Sequence, residues 1–183
     1  MRRLALALLL LLTACGGSSD PEPAPKPVIA GVEVFTGLSH EHLKQGQYPQ
    51  SYPQSPPVGG AHSPFWLACA VYEQAVPKEA AVHSMEHGGI WITYQPELDD
   101  AAKAMLEQLA AVNPEYVMVS PYSGQGSPVI ASGWGLQLKA TQAADPKLVA
   151  FIKQYAGGNQ GGEQGVGCTR GGVTPDQALQ GIR

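Results

Sequence analysis

The stretch 89-GIWITYQPELDDAAKAMLEQLAAV-112 decides the fold class of this 183-residue chain. Its first six residues, Gly89 to Tyr94, are β-branched and aromatic and predict a strand. The acidic residues after Pro96 suit the start of a helix, and residues 101–112 are rich in helix formers. A strand that leads into a helix predicts a fold containing both kinds of element.

The flanking sequence extends this pattern in both directions. It predicts strands over 32–35, 116–120, 129–134 and 136–139, the last two being separate or one strand with a glycine bulge, and a second helix over 145–155. We therefore expect a single α+β domain, residues 31–156, with a mainly antiparallel sheet and two helices packed on one face. Residues 36–64 are rich in Gly, Pro, Tyr and Gln and predict a long irregular loop, which is either functional or disordered.

The N-terminus has the pattern of a secretory signal peptide over residues 1–14. Arg2 and Arg3 precede an apolar run, 4–12, that is too short to span a bilayer, and small residues follow it. The sequence Leu-Thr-Ala before Cys15 resembles the lipobox of bacterial lipoproteins, which implies cleavage there and diacylglycerol on the thiol. The alternative is a plain signal peptide with an incidental cysteine. Residues 15–30 then form a disordered tether, and the predicted location is the cell envelope, facing the periplasm or the exterior.

Charge argues against a nucleic-acid partner. The formal net charge is −4, only 14% of the residues are charged, and the sequence has no basic stripe. Attachment to a membrane would therefore depend on the lipid at Cys15 and not on a basic patch.

Two cysteines remain after Cys15, and an even pair in an oxidising compartment predicts a disulfide between Cys69 and Cys168. Such a bond closes a loop of about 100 residues and contributes on the order of 4 kcal/mol. It would tie a Gly-rich tail, residues 157–183, back to the histidine-containing region. The alternative is that both thiols bind metal, although they lack a C-x-x-C spacing.

All five histidines lie between residues 40 and 87, and three of them belong to the motifs 59-GGAH-62 and 83-HSMEHGG-89. Imidazole is the commonest metal ligand in proteins. His83 and His87 can converge on a helix, where residues four apart share a face, or in a curved turn. Because Gly88 and Gly89 disfavour a long helix, we expect a turn or a single helical turn here.

The predicted metal ligands are His62, His83 and His87. A soft fourth ligand, Met85 or Met118, would favour copper, with zinc as the second choice. Glu86 would complete a harder site or orient an imidazole through a hydrogen bond. His40 and His42, in the predicted irregular loop 36–64, are further candidate ligands. The alternatives are structural histidines bonded to backbone carbonyls and a Met85 that only fills the core.

Two other functions compete with metal binding. His83-x-x-Glu86-His87 matches the H-x-x-E-H pattern of inverted zinc peptidases, in which the glutamate activates water. This motif is short, the glycine pair ends the helix that it needs, and no obvious third ligand follows at helical spacing downstream, because Glu163 lies in the Gly-rich tail. The other possibility is a non-catalytic envelope lipoprotein that uses its aromatic loop as an interaction surface.

The chain also resembles a known bacterial family over roughly residues 30–156. The motifs are PPVGGAH at 56–62, WLACAVY at 66–72, AVHSMEHGG at 81–89 and SGWG at 132–135, and they resemble those of domain of unknown function 3105. That family usually has proline at the position of Ala61 and leucine at that of Met85. The resemblance therefore implies that Met85 is not an essential ligand, and it implies no particular reaction.

Together these observations predict an exported lipoprotein that binds a transition metal for handling or storage, with a metal donor or acceptor protein as partner. Binding is favoured over catalysis because no nucleophile–base pair or paired carboxylates accompany the histidines.

Overall fold

A computed structural model describes residues 29–49, 51–163 and 166–181. The predicted signal peptide, Cys15 and nearly all of the tether lie outside the described residues. In chain order the strands are β1 (Val32–Val34), β2 (Ile90–Tyr94), β3 (Val117–Pro121), β4 (Val129–Gly133) and β5 (Leu136–Ala140). The helices are α1 (Lys78–Glu86), α2 (Asp100–Ala111), α3 (Pro146–Tyr155) and α4 (Pro175–Gln180).

The strands form one sheet in the order β1-β5-β4-β2-β3. Only β2 and β3 are parallel, and α2 makes the crossover between them, whereas the other pairs are antiparallel. The predicted α+β class is thus confirmed. Strands β4 and β5 are separate and form a hairpin, because Trp134 and Gly135 turn the chain and Gly135 has a φ of 68°.

One face of the sheet carries α2 and α3, as predicted. Each helix is capped by an aspartate, Asp99 or Asp145, whose side chain accepts a hydrogen bond from a backbone N–H of the first turn. Alternate strand residues and the apolar stripes of both helices form one core, which includes Ile90, Ile92, Leu106, Val117, Val119, Leu136, Leu138, Leu148, Phe151 and Ile152. This face follows directly from the sequence periodicity.

The opposite face is covered by α1, the irregular segment 35–77 and the tail. Trp91 and Met118 project from the sheet into a second core, which contains Leu67, Met85 and the two bonded cysteines. Every residue of α1 from Glu79 to Glu86 is buried. A helix buried on all sides has no polar face and so leaves no amphipathic pattern in the sequence.

The expectation of a turn or a single helical turn at 83–87 is wrong, since His83 to Glu86 form the end of the longer, nine-residue helix α1. The two glycines end this helix without preventing it. Gly88 has a φ of 86° and donates to the Met85 carbonyl, while Gly89 donates to the Ser84 carbonyl. This is the Schellman arrangement, in which glycine takes the left-handed conformation directly after a helix.

The tail packs on this second face. Cys69 and Cys168 form a disulfide with a Cα–Cα distance of 5.1 Å, and Val173 pairs with Leu67 in a short parallel bridge. A side chain at Gly161 would overlap the Glu86 carbonyl, so the tail lies directly against the end of α1. Disulfides are typical of oxidising compartments. Among the described residues, no helix is long and apolar enough to cross a membrane.

Candidate metal centre

Helix α1 supplies the centre of the cluster. His83 and His87 are four residues apart and their rings stack, with centroids 4.9 Å apart and the two Nε2 atoms 3.1 Å apart. Glu86 lies between them in sequence, and its side chain is 1% exposed. The predicted convergence of this motif is therefore reached on a helix.

His62 reaches the helix through the glycine turn before it. Gly59 and Gly60 have φ values of 149° and 117°, and a side chain at Gly59 would overlap Leu38. His62 is fully buried, and its Nε2 lies 2.9 Å from Oε2 of Glu86. Its ring Nδ1 donates to the Gly60 carbonyl at 2.8 Å.

His40 and His42 join the cluster because their segment pairs with His62. The His62 amide donates to Glu41, and the Leu43 amide donates to His62, which makes a short parallel bridge. Nε2 of His42 lies 3.3 Å from Nε2 of His83. Nδ1 of His40 lies 2.5 Å from Oε1 of Glu86. The sequence indicated these two histidines as further candidate ligands outside the main set, although a spacing of two residues places both on one side of an extended segment.

An inner donor set consists of His42, His62, His83 and Glu86. One ligand atom from each of these side chains lies within 4.8 Å of all the others. Neighbouring ligand atoms of a tetrahedral ion are about 3.3–3.6 Å apart, given metal–ligand bonds of about 2.0–2.2 Å. The distances in the cluster are similar, since Nε2 of His42 lies 3.3 Å from Nε2 of His83 and 3.7 Å from Oε2 of Glu86. These side chains could therefore hold a metal ion.

An outer donor set consists of His83, His87 and Glu163. Oε2 of Glu163 lies 3.4 Å from Nε2 of His87 and 3.8 Å from Nε2 of His83. The Glu163 side chain is 46% exposed, whereas those of His83 and His87 are buried. The sequence argued against Glu163 as a ligand because it lies in the Gly-rich tail. The tail packs on the end of α1, however, and this packing brings Glu163 to the cluster.

The hydrogen bonds of the ring nitrogens show which atoms face inward as acceptors. Nδ1 of His83 donates to the Ser63 carbonyl at 2.8 Å, just as Nδ1 of His62 donates to Gly60. A neutral imidazole carries one N–H, so both Nε2 atoms then present lone pairs to the cluster. Nε2 of His62 faces the carboxylate oxygen of Glu86, itself an acceptor. A proton or a metal ion must therefore lie between these two buried atoms.

Burial and neighbouring charges keep the imidazole of His83 neutral. Burial lowers the pKa of His83 to about 3, helped by the positive charges of His62, His87 and His42 and opposed by the bond to Ser63. Burial likewise lowers the pKa of His87, although Glu163 and Glu86 oppose it. Metal binding requires the neutral imidazole, so the two side chains are ready ligands at neutral pH.

Glu86 is held in its charged form. Burial raises the pKa of its carboxyl, but hydrogen bonds and positive charge from His62 and His40 in their protonated forms outweigh this, and the pKa lies below its ordinary value. Two tryptophans enclose the cluster: Trp134 stacks on His40 at 4.6 Å, and Trp66 lies 4.6 Å from the His87 ring. The buried anion attracts a cation in surroundings of low dielectric.

The structure places the sulfur-containing candidates elsewhere. Met85 and Met118 are completely buried in the second core with Trp91. This agrees with the alternative interpretation that Met85 fills the core. Cys69 and Cys168 are bonded to each other. The cluster therefore offers imidazole and carboxylate donors.

Comparison with known proteins gives one match. Residues 42–170 match the model of a family described as "Protein of unknown function (DUF3105)", and this segment covers more than half of the chain. Comparison with curated proteins and with solved structures gave no match. All members of both donor sets lie within the matched segment. The chain belongs to the DUF3105 family.

Proposed function

We propose that this protein binds one transition-metal ion in its histidine–glutamate cluster and stores or hands on that ion at the cell envelope. The observation that carries the proposal is the buried pair His62 Nε2 and Glu86 Oε2, 2.9 Å apart, neither with another hydrogen-bond partner among the described residues. Two acceptors in contact at zero and 1% exposure repel each other unless a proton or a metal ion lies between them, and we propose that a metal ion takes this place.

The inner set supports binding over turnover. Three imidazoles and one carboxylate give four protein ligands, which is typical of closed sites, whereas catalytic zinc sites leave one position open. The predicted ligands His62, His83 and Glu86 belong to this set, His42 joins them, and His87 falls in the outer set.

Copper remains the first choice of metal, for a different reason. The prediction relied on Met85 or Met118 as a thioether ligand for Cu(I), and both methionines pack in the second core instead. Nitrogen and oxygen donors suit divalent ions, among which Cu²⁺ binds such sites more tightly than Zn²⁺. We therefore propose Cu²⁺ first and Zn²⁺ second.

The location is part of the same proposal. The Cys69–Cys168 disulfide favours a compartment outside the cytoplasm, and a lipid on Cys15 would hold the protein at the membrane. A donor or acceptor protein would then exchange the ion with this cluster, and no nucleic-acid partner is proposed.

The test is metal binding to purified protein, with Cu²⁺ and Zn²⁺ in competition. We expect one ion per chain, and loss of at least about 100-fold in affinity for His62→Ala, His83→Ala and Glu86→Gln. Glu33→Gln is the matched control for Glu86→Gln, because Glu33 pairs with Lys139 at the surface and belongs to neither donor set. Folded protein that binds neither ion would make the histidines structural and favour the interaction-lipoprotein alternative.

A zinc peptidase is the second candidate, and the position of Glu163 favours it. The motif His83-x-x-Glu86-His87 lies at the end of a helix, and Glu163 completes a His₂Glu triad of the kind found in catalytic zinc sites. Glu86→Gln should then keep the zinc and abolish cleavage of casein. Equal, background cleavage by the parent and variant proteins would exclude this candidate.

A further inference from the structure

The two donor sets share one side chain. His83 belongs to the inner set with His42, His62 and Glu86, and to the outer set with His87 and Glu163. Its Nδ1 is engaged by the Ser63 carbonyl, so only Nε2 is free to bind metal. One imidazole lone pair binds one ion, and the sets therefore cannot both be completely filled.

The sets differ in their access to solvent. The inner set contains the fully buried His62 and the buried Glu86, while Glu163 of the outer set is 46% exposed. The outer set also has only three protein ligands, which leaves a position for water or for a ligand from a partner.

The ligand atoms of the two sets form a continuous path. Nε2 of His83 lies 3.1 Å from Nε2 of His87 and 3.3 Å from Nε2 of His42. An ion can therefore exchange ligands one at a time while His83 remains bound. Stepwise exchange avoids a bare ion in a buried site, which would be costly.

We propose that the cluster is a two-position relay in which His83, His87 and Glu163 receive and release the ion and the inner set stores it. This inference rests on the proposed function. Glu163 then lowers the barrier for entry and exit and contributes little to the affinity of the stored ion. His83 is the ligand common to both positions.

The experiment uses Co²⁺ as a spectroscopic probe of the purified full-length protein. Stopped-flow absorbance follows loading, mixing with excess EDTA follows release, and an equilibrium titration gives affinity. For Glu163→Gln we expect both rates to fall by about tenfold, with the dissociation constant changed by less than about twofold. A group that acts only on the barrier changes both rates equally.

Glu41→Gln is the matched control. Glu41 is an exposed carboxylate between His40 and His42 that belongs to neither donor set, so it reports the loss of general electrostatic attraction. Its variant should retain both rates within about twofold. Glu163→Asp keeps the charge on a shorter side chain and should give intermediate rates.

Three results would overturn the relay while leaving metal binding intact. A weaker affinity with faster release would make Glu163 a ligand of one single site. Unchanged rates would mean that the ion enters past His42, whose side chain is 39% exposed. If Glu41→Gln slowed loading and release as much as Glu163→Gln does, the effect of Glu163 would be general electrostatic steering of the ion. Absence of Co²⁺, Cu²⁺ and Zn²⁺ binding by the unmodified protein would instead reject the proposed function itself.

Discussion

The two faces of the sheet are built on different principles. The face under α2 and α3 is an apolar core made by alternating strand residues and helical stripes. The other face gathers a helix that is buried from Glu79 to Glu86, an irregular loop, a disulfide and all five histidines. The first face illustrates how local periodicity makes a stable scaffold. The second illustrates how a stable scaffold allows costly polar groups to be buried together.

Removal of the disulfide should have the largest effect and should act on the second face. Cys69 and Cys168 are 99 residues apart in sequence, and closing such a loop contributes about 4–5 kcal/mol in the chain-entropy model. We expect the Cys69→Ser/Cys168→Ser double variant to lose about this much free energy of unfolding, measured by urea denaturation. A loss below about 1 kcal/mol would mean that packing of the tail alone holds this face in place.

A cavity in the first face should destabilise the protein without changing its site. Phe151 is completely buried between α3 and the sheet, and Phe→Ala substitutions in cores cost about 3–5 kcal/mol. We expect Phe151→Ala to lower the free energy of unfolding by this amount while the folded fraction keeps its metal stoichiometry. Loss of metal from protein that is still folded would show that the two faces are coupled.

Low pH should decrease the free energy of unfolding of the metal-free protein, because His83 on the second face has a lowered pKa. The pKa of His83 is about 3 in the folded chain and about 6.5 when unfolded, so the unfolded state binds the proton first as the pH falls. The free energy of unfolding should therefore decrease below about pH 6.5 and continue to decrease toward pH 3. Between pH 7 and 4.5 we expect a loss of about 2.5 kcal/mol in the free energy of unfolding, measured by denaturation in the presence of a chelator.

His83→Gln tests the origin of that pH dependence, because glutamine does not titrate. This variant should lose most of the decrease between pH 7 and 4.5, and His87, whose pKa is also lowered, should account for the remainder. An identical pH profile for the variant and the parent protein would assign the acid sensitivity to other groups.

Most of the scaffold could be predicted from sequence because its signals are local. The strand at 90–94 is β-branched and aromatic, and the helices at 100–111 and 146–155 carry apolar residues at helical spacing. Helix α1 was missed because it is buried on every side and begins after Pro77 without a side-chain cap. Helix α4 was also missed, although Thr174 and Gln177 form a capping box at its start.

The candidate site was predicted in part, through its histidine motifs. The clustering of His62, His83 and His87 with Glu86 in sequence indicated a metal, because these residue types at short spacing are typical ligands. The contributions of His42 and Glu163 depend on contacts between distant segments: the pairing of residues 41–43 with His62, and the packing of Gly161 on Glu86. Neither contact has a local sequence signal.

The amino-acid sequence was sufficient for the α+β class, the principal strands and helices and the kind of chemistry, because periodicity and residue type are local properties. Only the tertiary structure decided which donors share a site, which methionines are core and where the tail lies. Those outcomes depend on long-range packing, and distances of 3–4 Å between side chains as far apart in sequence as His83 and Glu163 are set by the whole fold and not by any one segment.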